Sequence, residues 1–342
     1  MKSRYIIIAA VLFALVSCAK EKSAGLNDDT KRYFDAWISQ NHPTATKAPL
    51  GAYILSETPG TGAFISDSVF VRVNYTTYTL KGALSATTLE KKARQAGSYD
   101  KSSYYGPVVA WRGEEQDNLA AGVEEALSTM KVGGRKTVVI PGWLSESERY
   151  DSEEKYLKNC SGTDYIYELE LVDVFNDVDR WERDSLLKFM AANYPAAEED
   201  TTLTGFFYVK TKAGEDKEFA SDTTIYLNYT GRLLNGKAFD TTIKDTAKVW
   251  GLYSASKEYA QTKVNWYSAS EDYNYITLGD NSSDSETGNT ITGFAYALDK
   301  MHPGEAGKCF FISKYGYSSG GSGSTIPAYS PLCFELEVTE AP

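Results

Sequence analysis

Cysteine and histidine, the side chains best suited to nucleophilic or metal chemistry, are scarce in this chain of 342 residues. The two histidines, His42 and His302, each precede a proline, and no Cys or His partner stands at a metal-ligand spacing from either of them. The cysteines form no Cys-x-x-Cys pair. The sequence therefore predicts no structural metal site and no cofactor.

Two further segments contain the residue types of ion-binding loops but lack their order. The run 279–290 is rich in Asp, Ser, Asn and Gly, yet it has neither the alternating carboxylates nor the closing Glu of a calcium loop. The Gly- and Ser-rich run 318–325 lacks the Gly-Lys-Ser/Thr end of a phosphate-binding loop. We interpret the first as a solvated turn and the second as a surface loop.

The cysteine with the most distinctive surroundings is Cys18. It follows a basic start and an apolar run over 5–15, which is shorter than the roughly 20 residues that span a bilayer. The residues Leu-Val-Ser-Cys that end this run resemble a bacterial lipobox, in which the cysteine is lipidated. We expect a signal peptide at 1–18, a tether at 19–28 and a lipid anchor in the cell envelope, at the outer membrane, on its periplasmic or surface face. The alternative is an ordinary secretory signal with a chance cysteine.

The overall charge excludes one class of partner. The formal net charge of −11 argues against nucleic acid, because phosphate binding requires clustered Lys and Arg. Three cysteines remain beyond the lipobox: Cys160, Cys309 and Cys333. This odd count allows one disulfide at most and leaves at least one thiol.

The chain repeats itself over a long period. Val71–Thr76 matches Ile225–Thr230, 154 positions further on. Gly122–Gly133 matches Gly293–Gly304 in the same order. A period of this length indicates a duplicated domain and not a solenoid.

The repeat predicts two domains, at 29–176 and 177–342, that meet near 176–179. Each has a leading helix, several strands, one amphipathic helix and two more strands. In the second domain the amphipathic helix begins near Gly293, where apolar residues recur at helical spacing. This order predicts an antiparallel sheet with a helix against it, an α+β fold.

Six segments of the C-terminal half occur in the order found in one known family. They are Tyr229–Thr242, Leu278–Gly279, Ile291–Phe294, Met301–Gly304, Ile312–Tyr317 and Ile326–Glu337. Over about 202–340 the chain resembles the FKBP-type peptidyl-prolyl cis-trans isomerases. The resemblance implies two FKBP-like domains, each an antiparallel sheet wrapped on a short α-helix and preceded by a short helix. It also implies proline-containing peptides or unfolded exported proteins as partners.

The resemblance carries a binding pocket onto particular residues of the second domain. These residues are Tyr229, Phe239, Asp240, Ile291, Phe294, Tyr317, Ile326 and Phe334. Asp240 is expected at the rim, hydrogen-bonded to Tyr229, and the Tyr317 hydroxyl is expected to hold a substrate carbonyl. Phe294 stands where the family usually has Trp. The loop 318–325 corresponds to the flap over the pocket.

The chemistry of such a site needs neither a nucleophile nor a metal. Rotation about an amide faces a resonance barrier of about 18–20 kcal/mol. A thousandfold to ten-thousandfold acceleration requires only about 4–5.5 kcal/mol of preference for the transition state. The twisted amide is less polar than the planar one, so a dry aromatic pocket favours it.

The first domain departs from this pattern at three places. Gly82–Thr88 replaces the Phe-Asp block, and Val123 stands where the aromatic floor belongs. Gly142–Ser145 replaces the strand end that carries the flap tyrosine. We expect a scaffold without catalysis that is available for binding clients or for pairing with the second domain.

An apparent insertion at about 243–272 separates the Phe-Asp block from the next strand. It leaves the neighbouring pocket position open between Tyr273 and Tyr275. Its aromatic residues are Trp250, Tyr253, Tyr259, Trp266 and Tyr267. Two interpretations stay open: a client-gripping surface beside the pocket, or a loop that folds back and buries these side chains.

The two cysteines of the second domain lie on strands that neighbour each other in an FKBP-like fold. A disulfide between Cys309 and Cys333 requires Cα atoms within about 7 Å. Two unpaired core thiols are the equal alternative.

Three functions follow from these observations. The first is an envelope prolyl isomerase that acts as a folding helper. The second is a non-catalytic, chaperone-like lipoprotein that binds clients on the same scaffold. The third is a surface lipoprotein that binds glycans, which predicts a shallow groove with exposed Trp away from Tyr317.

Overall fold

The computed structural model describes residues 26–65, 68–113, 119–158, 162–220, 223–266, 277–278 and 290–341. The predicted lipidation at Cys18, the thiol of Cys160 and the alternatives Tyr273 and Tyr275 lie outside these residues. Within them, no helix is both long and apolar enough to cross a membrane.

The first unit contains four helices and seven strands within the described residues. They are α1 (Leu26–Asn41), β1 (Thr46–Lys47), β2 (Tyr53–Thr58), β3 (Val69–Thr79), β4 (Leu84–Thr87), α2 (Glu90–Gln95), β5 (Val108–Arg112), α3 (Ala121–Leu127), β6 (Arg135–Ile140), α4 (Glu153–Lys158) and β7 (Tyr165–Phe175). A 3-10 turn at Gly142–Leu144 follows β6.

The second unit repeats this order. Its elements are α5 (Val178–Asn193), β8 (Phe206–Lys212), β9 (Thr223–Leu233), β10 (Ala238–Thr241), α6 (Lys244–Trp250), β11 (Thr262–Trp266), β12 (Thr277–Leu278), α7 (Thr292–Asp299), β13 (Ala306–Phe311) and β14 (Leu332–Thr339). A 3-10 turn at Ser313–Tyr315 follows β13.

The two sheets share six strands in the same arrangement and differ at the seventh, which is β1 paired to β2 in the first sheet and β12 paired to β11 in the second. The first has the strand order β1-β2-β6-β7-β3-β4, with β5 also paired to β3, and the second has β12-β11-β9-β14-β13-β8, with β10 also paired to β9. Every strand pair is antiparallel. The predicted α+β fold with antiparallel sheets is therefore confirmed, and the shared strand order supports the duplication read from the sequence.

A network of threonine hydroxyls recurs in both units. Thr76 and Thr87 share a hydrogen bond of 2.8 Å between their Oγ1 atoms, and Thr230 and Thr241 share one of 2.9 Å. In each unit the next threonine accepts from a tyrosine backbone N–H at 3.0 Å, as Thr242 does from Tyr229. These bonds hold β4 against β3 and β10 against β9. They do not involve the other side chains of the two short strands.

The helix against each sheet approaches it through a glycine. A Cβ on Gly293 would lie 2.6 Å from the ring carbons of Phe311. At the equivalent position of the first unit, a Cβ on Gly122 would lie 2.4 Å from Cγ2 of Ile140. Only glycine allows this contact, so α3 and α7 sit directly on the strands β6 and β13.

The range 243–272, predicted as an insertion, contains α6 and β11. These elements occupy the places that α2 and β5 hold in the first unit, so relative to that unit the range is not an insertion. Its Tyr253 and Tyr259 rings stack at 5.6 Å, as Tyr99 and Tyr105 do at 5.4 Å. Tyr253 remains 44% exposed.

The two cysteines of the second unit form no disulfide. Both are buried free thiols. In the register of β13 and β14, Cys309 faces Phe334 and Phe310 faces Cys333. Side chains alternate across a sheet, so the two thiols point to opposite faces. Of the two alternatives that the sequence left open, unpaired core thiols are correct.

The junction between the units is short. Strand β7 ends at Phe175 and α5 begins at Val178, where the side chain of Asp177 accepts from the N–H of Arg180 at 3.0 Å as an N-cap. Helix α5 packs on the second sheet through Leu186 and Met190. The predicted domain bounds stay a prediction, since they concern independent folding.

A buried carboxyl ties α5 to the turn after β13. Glu182 is fully buried, and its oxygens accept from the backbone N–H of Ser313 at 2.5 Å and from its hydroxyl at 2.6 Å. Burial raises the pKa of Glu182 from 4.5 to about 7, although the bonds from Ser313 act in the opposite direction.

We expect this carboxyl to make stability depend on pH. The folded state holds the Glu182 proton more tightly than the unfolded state, so its contribution is complete below about pH 4.5 and is lost as pH rises through about 7. Glu182→Gln removes the titration. The unfolding free energy of the wild type should fall by about 3 kcal/mol relative to the variant across that range, measured by denaturant titration.

Glu198→Gln, the same change at an exposed position of the chain, is the control. Parallel pH profiles for the wild type and Glu182→Gln would contradict the assignment.

Candidate functional site

All eight residues predicted for the pocket come together in the second unit. Phe239, Phe294, Ile326 and Phe334 belong to its main core cluster. Tyr229, Ile291 and Tyr317 pack against that cluster, and Asp240 joins it through Tyr229. Strands β9 and β10, helix α7, strand β14 and the loop after β13 each supply part of the set.

Phe334 lies at the centre of the aromatic cluster. Its ring meets that of Phe239 at 5.5 Å and that of Phe294 at 5.2 Å, both nearly perpendicular. Tyr229 meets Phe294 edge-on at 5.7 Å. Edge-to-face contacts of this kind are favourable for aromatic pairs, so the rings hold one another in fixed orientations.

Gly231 makes room for this packing. It pairs with Phe334 across β9 and β14. A Cβ at this position would lie 2.5 Å from the Phe239 ring and 2.9 Å from the Phe334 ring. Glycine is therefore required at position 231, because a larger residue would collide with these two rings.

A carboxylate stands at the rim of the cluster. The Tyr229 hydroxyl donates to Oδ2 of Asp240 at 2.5 Å, and Lys257 Nζ donates to Oδ1 at 2.7 Å. Burial, reinforced by the charge of Asp240, raises the pKa of Tyr229 well above its usual range. Tyr229 thus remains a protonated donor that orients Asp240.

Tyr317 contributes a second hydroxyl to the edge of the cluster. Its ring meets the ring of Phe239 at 6.5 Å and almost at a right angle. Burial and the nearby charge of Asp240 raise the pKa of Tyr317, so its hydroxyl keeps its proton at neutral pH. Throughout the described chain, no residue forms a hydrogen bond with this hydroxyl. It is a donor available to a ligand.

The site is buried and apolar inside and partly exposed at its edge. Phe239, Phe294, Ile326 and Phe334 are each less than 10% exposed. Tyr229, Asp240, Ile291 and Tyr317 are partly exposed. They surround the apolar bed with two hydroxyls and one carboxylate.

The first unit keeps the backbone of this site without its side chains. The register of β3 and β4 places Ser85 and Ala86 where the second unit has Phe239 and Asp240. Val123 stands at the position of Phe294. The rings and the rim carboxylate are absent from these positions, as the sequence predicted.

Two contacts of the site were missed by sequence reasoning. Lys257 pairs with Asp240 from the loop after α6, at a distance in sequence that no motif connects. Tyr104 of the first unit packs against the core cluster of the second unit. Tyr99 and Tyr105 of the first unit correspond to Tyr253 and Tyr259 of the second. The repeat itself could therefore have shown that the loop with Lys257 is structured.

Part of the second unit matches the model of a known protein family. The model described as FKBP-type peptidyl-prolyl cis-trans isomerase matches residues 279–339, which include α7, β13 and β14. Five of the eight predicted pocket residues lie in that range: Ile291, Phe294, Tyr317, Ile326 and Phe334. The predicted resemblance to the FKBP-type family is thereby confirmed.

A curated relative is similar to part of the chain. The "Probable FKBP-type peptidyl-prolyl cis-trans isomerase" of Haemophilus influenzae is 26% identical over 155 residues, which are 45% of this chain and 49% of that protein. This chain thus spans about half the length of that relative.

Two solved structures of the same type are also similar. A peptidyl-prolyl cis-trans isomerase from Pseudomonas syringae pv. tomato shares 20% identity over 47% of this chain and 93% of its own, with a TM-score of 0.30. FkpA from Escherichia coli shares 19% identity over 48% of this chain and 59% of its own, with a TM-score of 0.31. The fold of each unit is defined by its own strand order and register.

We expect Gly231→Ala to disturb the packing of the aromatic cluster. The added methyl would press on the rings of Phe239 and Phe334, and overpacking of this kind costs about 1–3 kcal/mol of unfolding free energy. Thermal and denaturant unfolding measure the loss. Gly320→Ala is the matched control, because its Cβ would find only one neighbour, at 3.6 Å.

Adding Phe239→Leu to the alanine variant should recover part of the lost stability, since the smaller side chain relieves the contact. Equal stability of the wild type and Gly231→Ala would show that the rings do not depend on this glycine.

Proposed function

We propose that the second unit is a peptidyl-prolyl cis-trans isomerase that assists the folding of exported proteins. The observation that carries the proposal is the combination of a nearly closed aromatic bed with an unbonded hydroxyl, that of Tyr317, at its edge. The family membership of residues 279–339 points in the same direction.

The proposed mechanism uses desolvation and one hydrogen bond. A prolyl ring enters the bed formed by Phe239, Phe294 and Phe334, where little water competes. The Tyr317 hydroxyl donates to the carbonyl oxygen that precedes the proline. The amide loses its conjugation as it twists, and its less polar form is better suited to this environment than the planar form.

The rim residues have an orienting role in this proposal. Tyr229 holds Asp240 by a hydrogen bond, and Lys257 holds its other oxygen. The negative charge of Asp240 helps to keep Tyr317 protonated by raising its pKa. We propose that this pair aligns the peptide that enters the bed and takes no part in bond chemistry.

The place of action is proposed from the sequence. Lipidation at Cys18 would hold the chain at the cell envelope, on the periplasmic or surface face of the outer membrane. A chain with a net charge of −11 is also repelled by an anionic lipid surface, which would keep its body in solution.

A second candidate is client binding without turnover. The observation that favours it is the low exposure of the aromatic floor, together with the Lys257 side chain bonded across the rim. Glycan binding has less support, because the large exposed apolar side chains among the described residues are Tyr, Phe, Ile and Val.

We expect Tyr317→Phe to lower kcat/KM for an Xaa-Pro peptide by about three- to tenfold, the value of one neutral hydrogen bond. The measurement is an isomerisation assay on the soluble chain from Glu21. Tyr315→Phe is the matched control two residues away, since the Tyr315 hydroxyl donates only to the backbone oxygen of Thr204. Asp240→Ala should lower the rate as well, because Tyr229 loses its partner.

A wild-type chain that folds and binds unfolded protein, but does not accelerate isomerisation, would exclude the enzyme and leave client binding. An equal loss in the Tyr315 and Tyr317 variants would remove the assigned role of the Tyr317 hydroxyl.

A further inference from the structure

The flap of the second unit, residues Ser318–Tyr329, is held in a strained shape. At its base the backbone N–H of Tyr329 donates to the carbonyl of Ser318 at 2.8 Å. Both residues have positive φ, 46° for Ser318 and 55° for Tyr329. This conformation is unfavourable for residues other than glycine and persists only where surrounding contacts impose it.

The tip of the flap is a tight turn that carries a pocket wall. Ser322 and Ile326 exchange two backbone hydrogen bonds, at 2.7 and 3.1 Å. Ile326 is 3% exposed within the aromatic cluster. The carbonyl of Tyr317 accepts from the N–H of Gly321 at 3.1 Å. The shape of the flap therefore sets the positions of Ile326 and Tyr317 together.

The first unit contacts the tip of this flap. The backbone N–H of Tyr104 donates to the carbonyl of Ser324 at 2.7 Å, and the hydroxyls of Ser103 and Ser324 lie 3.1 Å apart. The Tyr104 side chain packs against the core cluster of the second unit. In the same loop the carbonyl of Lys101 accepts from Nζ of Lys237.

The first unit also contacts the base of the flap. The ring of Tyr329 meets that of Phe70, on β3, edge-on at 5.2 Å. Phe70 is itself stacked on Phe175 at 5.7 Å, and Phe175 on Trp181 at 4.5 Å. A row of rings thus leads from the base of the flap to the start of α5.

The lost pocket of the first unit faces this contact. Ser85 and Ala86, at the positions of Phe239 and Asp240, line a cavity of about 340 Å³ together with Ser324 and Pro327 of the flap. Small side chains leave this space beside the flap tip. The positions at which the first unit lacks the rings of the second therefore border the place where the two units meet.

We propose that the first unit is a positioning domain, whose Tyr104 and Phe70 hold the flap of the second unit so that Ile326 and Tyr317 keep their places around the substrate. The role in catalysis rests on the proposed isomerase function, whereas the hold on the flap does not. Tyr104 and Phe70 are positioning residues, because both are assigned to act through the flap.

The experiment uses the soluble chain from Glu21, which contains both units, and compares its variants by hydrogen exchange and by isomerisation kinetics. Tyr104→Ala and Phe70→Ala should speed exchange of the flap amides, Ser322, Ile326 and Tyr329, by about tenfold or more, because their bonds open when the outer contacts are lost. Tyr104→Phe should restore slow exchange, since it keeps the ring and the backbone donor. KM should rise more than kcat falls, because the flap places the substrate.

Matched controls come from the first unit itself. Tyr33→Ala and Phe64→Ala remove rings that are 69% and 64% exposed, and both should leave exchange and KM unchanged. Ser103→Ala removes the hydroxyl contacts with Ser324 and with Asp100, and it serves if a ring deletion fails to fold. It should speed exchange at the flap tip by about two- to threefold.

Unchanged flap exchange in folded Tyr104→Ala, Phe70→Ala and Ser103→Ala would overturn the proposal. Faster exchange with KM and kcat unchanged would overturn the positioning role. A wild type without isomerase activity would remove the proposed function, and flap exchange would still decide whether the first unit holds the flap.

Discussion

The approach of four aromatic rings to Phe334 is the contact on which the second unit depends; they are those of Tyr229, Phe239, Phe294 and Phe311. It requires β9 and β14 to be neighbours in one register, because Gly231 must lie opposite Phe334 to leave room for Phe239. It also requires α7 to lie close to the sheet, so that Phe294 reaches the same ring from the other side. The core and the binding bed are thus one object, and the packing that stabilises the fold also shapes the site.

The two units show which parts of this design are separable. Both keep the threonine hydroxyl network and the helix glycine that set the backbone. They differ at the positions of Phe239, Asp240 and Phe294, where the first unit has Ser85, Ala86 and Val123. Backbone groups that are satisfied by threonines do not need the rings, so the fold persists when the pocket is lost.

The order of helices and strands along the chain and the clustering of the eight predicted pocket residues were within reach of the sequence, because their cues are local or recur in the repeat. Contacts between residues that are far apart in sequence could not be predicted in this way. Lys257 meets Asp240 because of a loop path, and Tyr104 meets Ser324 because of how two units are joined. Whether Cys309 and Cys333 form a disulfide was decided only by the strand register, which places the two side chains on opposite faces of the sheet.

The shortness of the junction has a consequence for binding strength. Only Asn176 and Asp177 separate β7 from α5, so each unit is presented to the other at a high effective concentration. The contacts at the flap itself, two hydrogen bonds to Ser324 and the ring pair of Phe70 and Tyr329, would be too weak to join separate proteins in dilute solution. Within one chain they do not have to recruit a partner, and a modest affinity is enough to keep the contact formed most of the time.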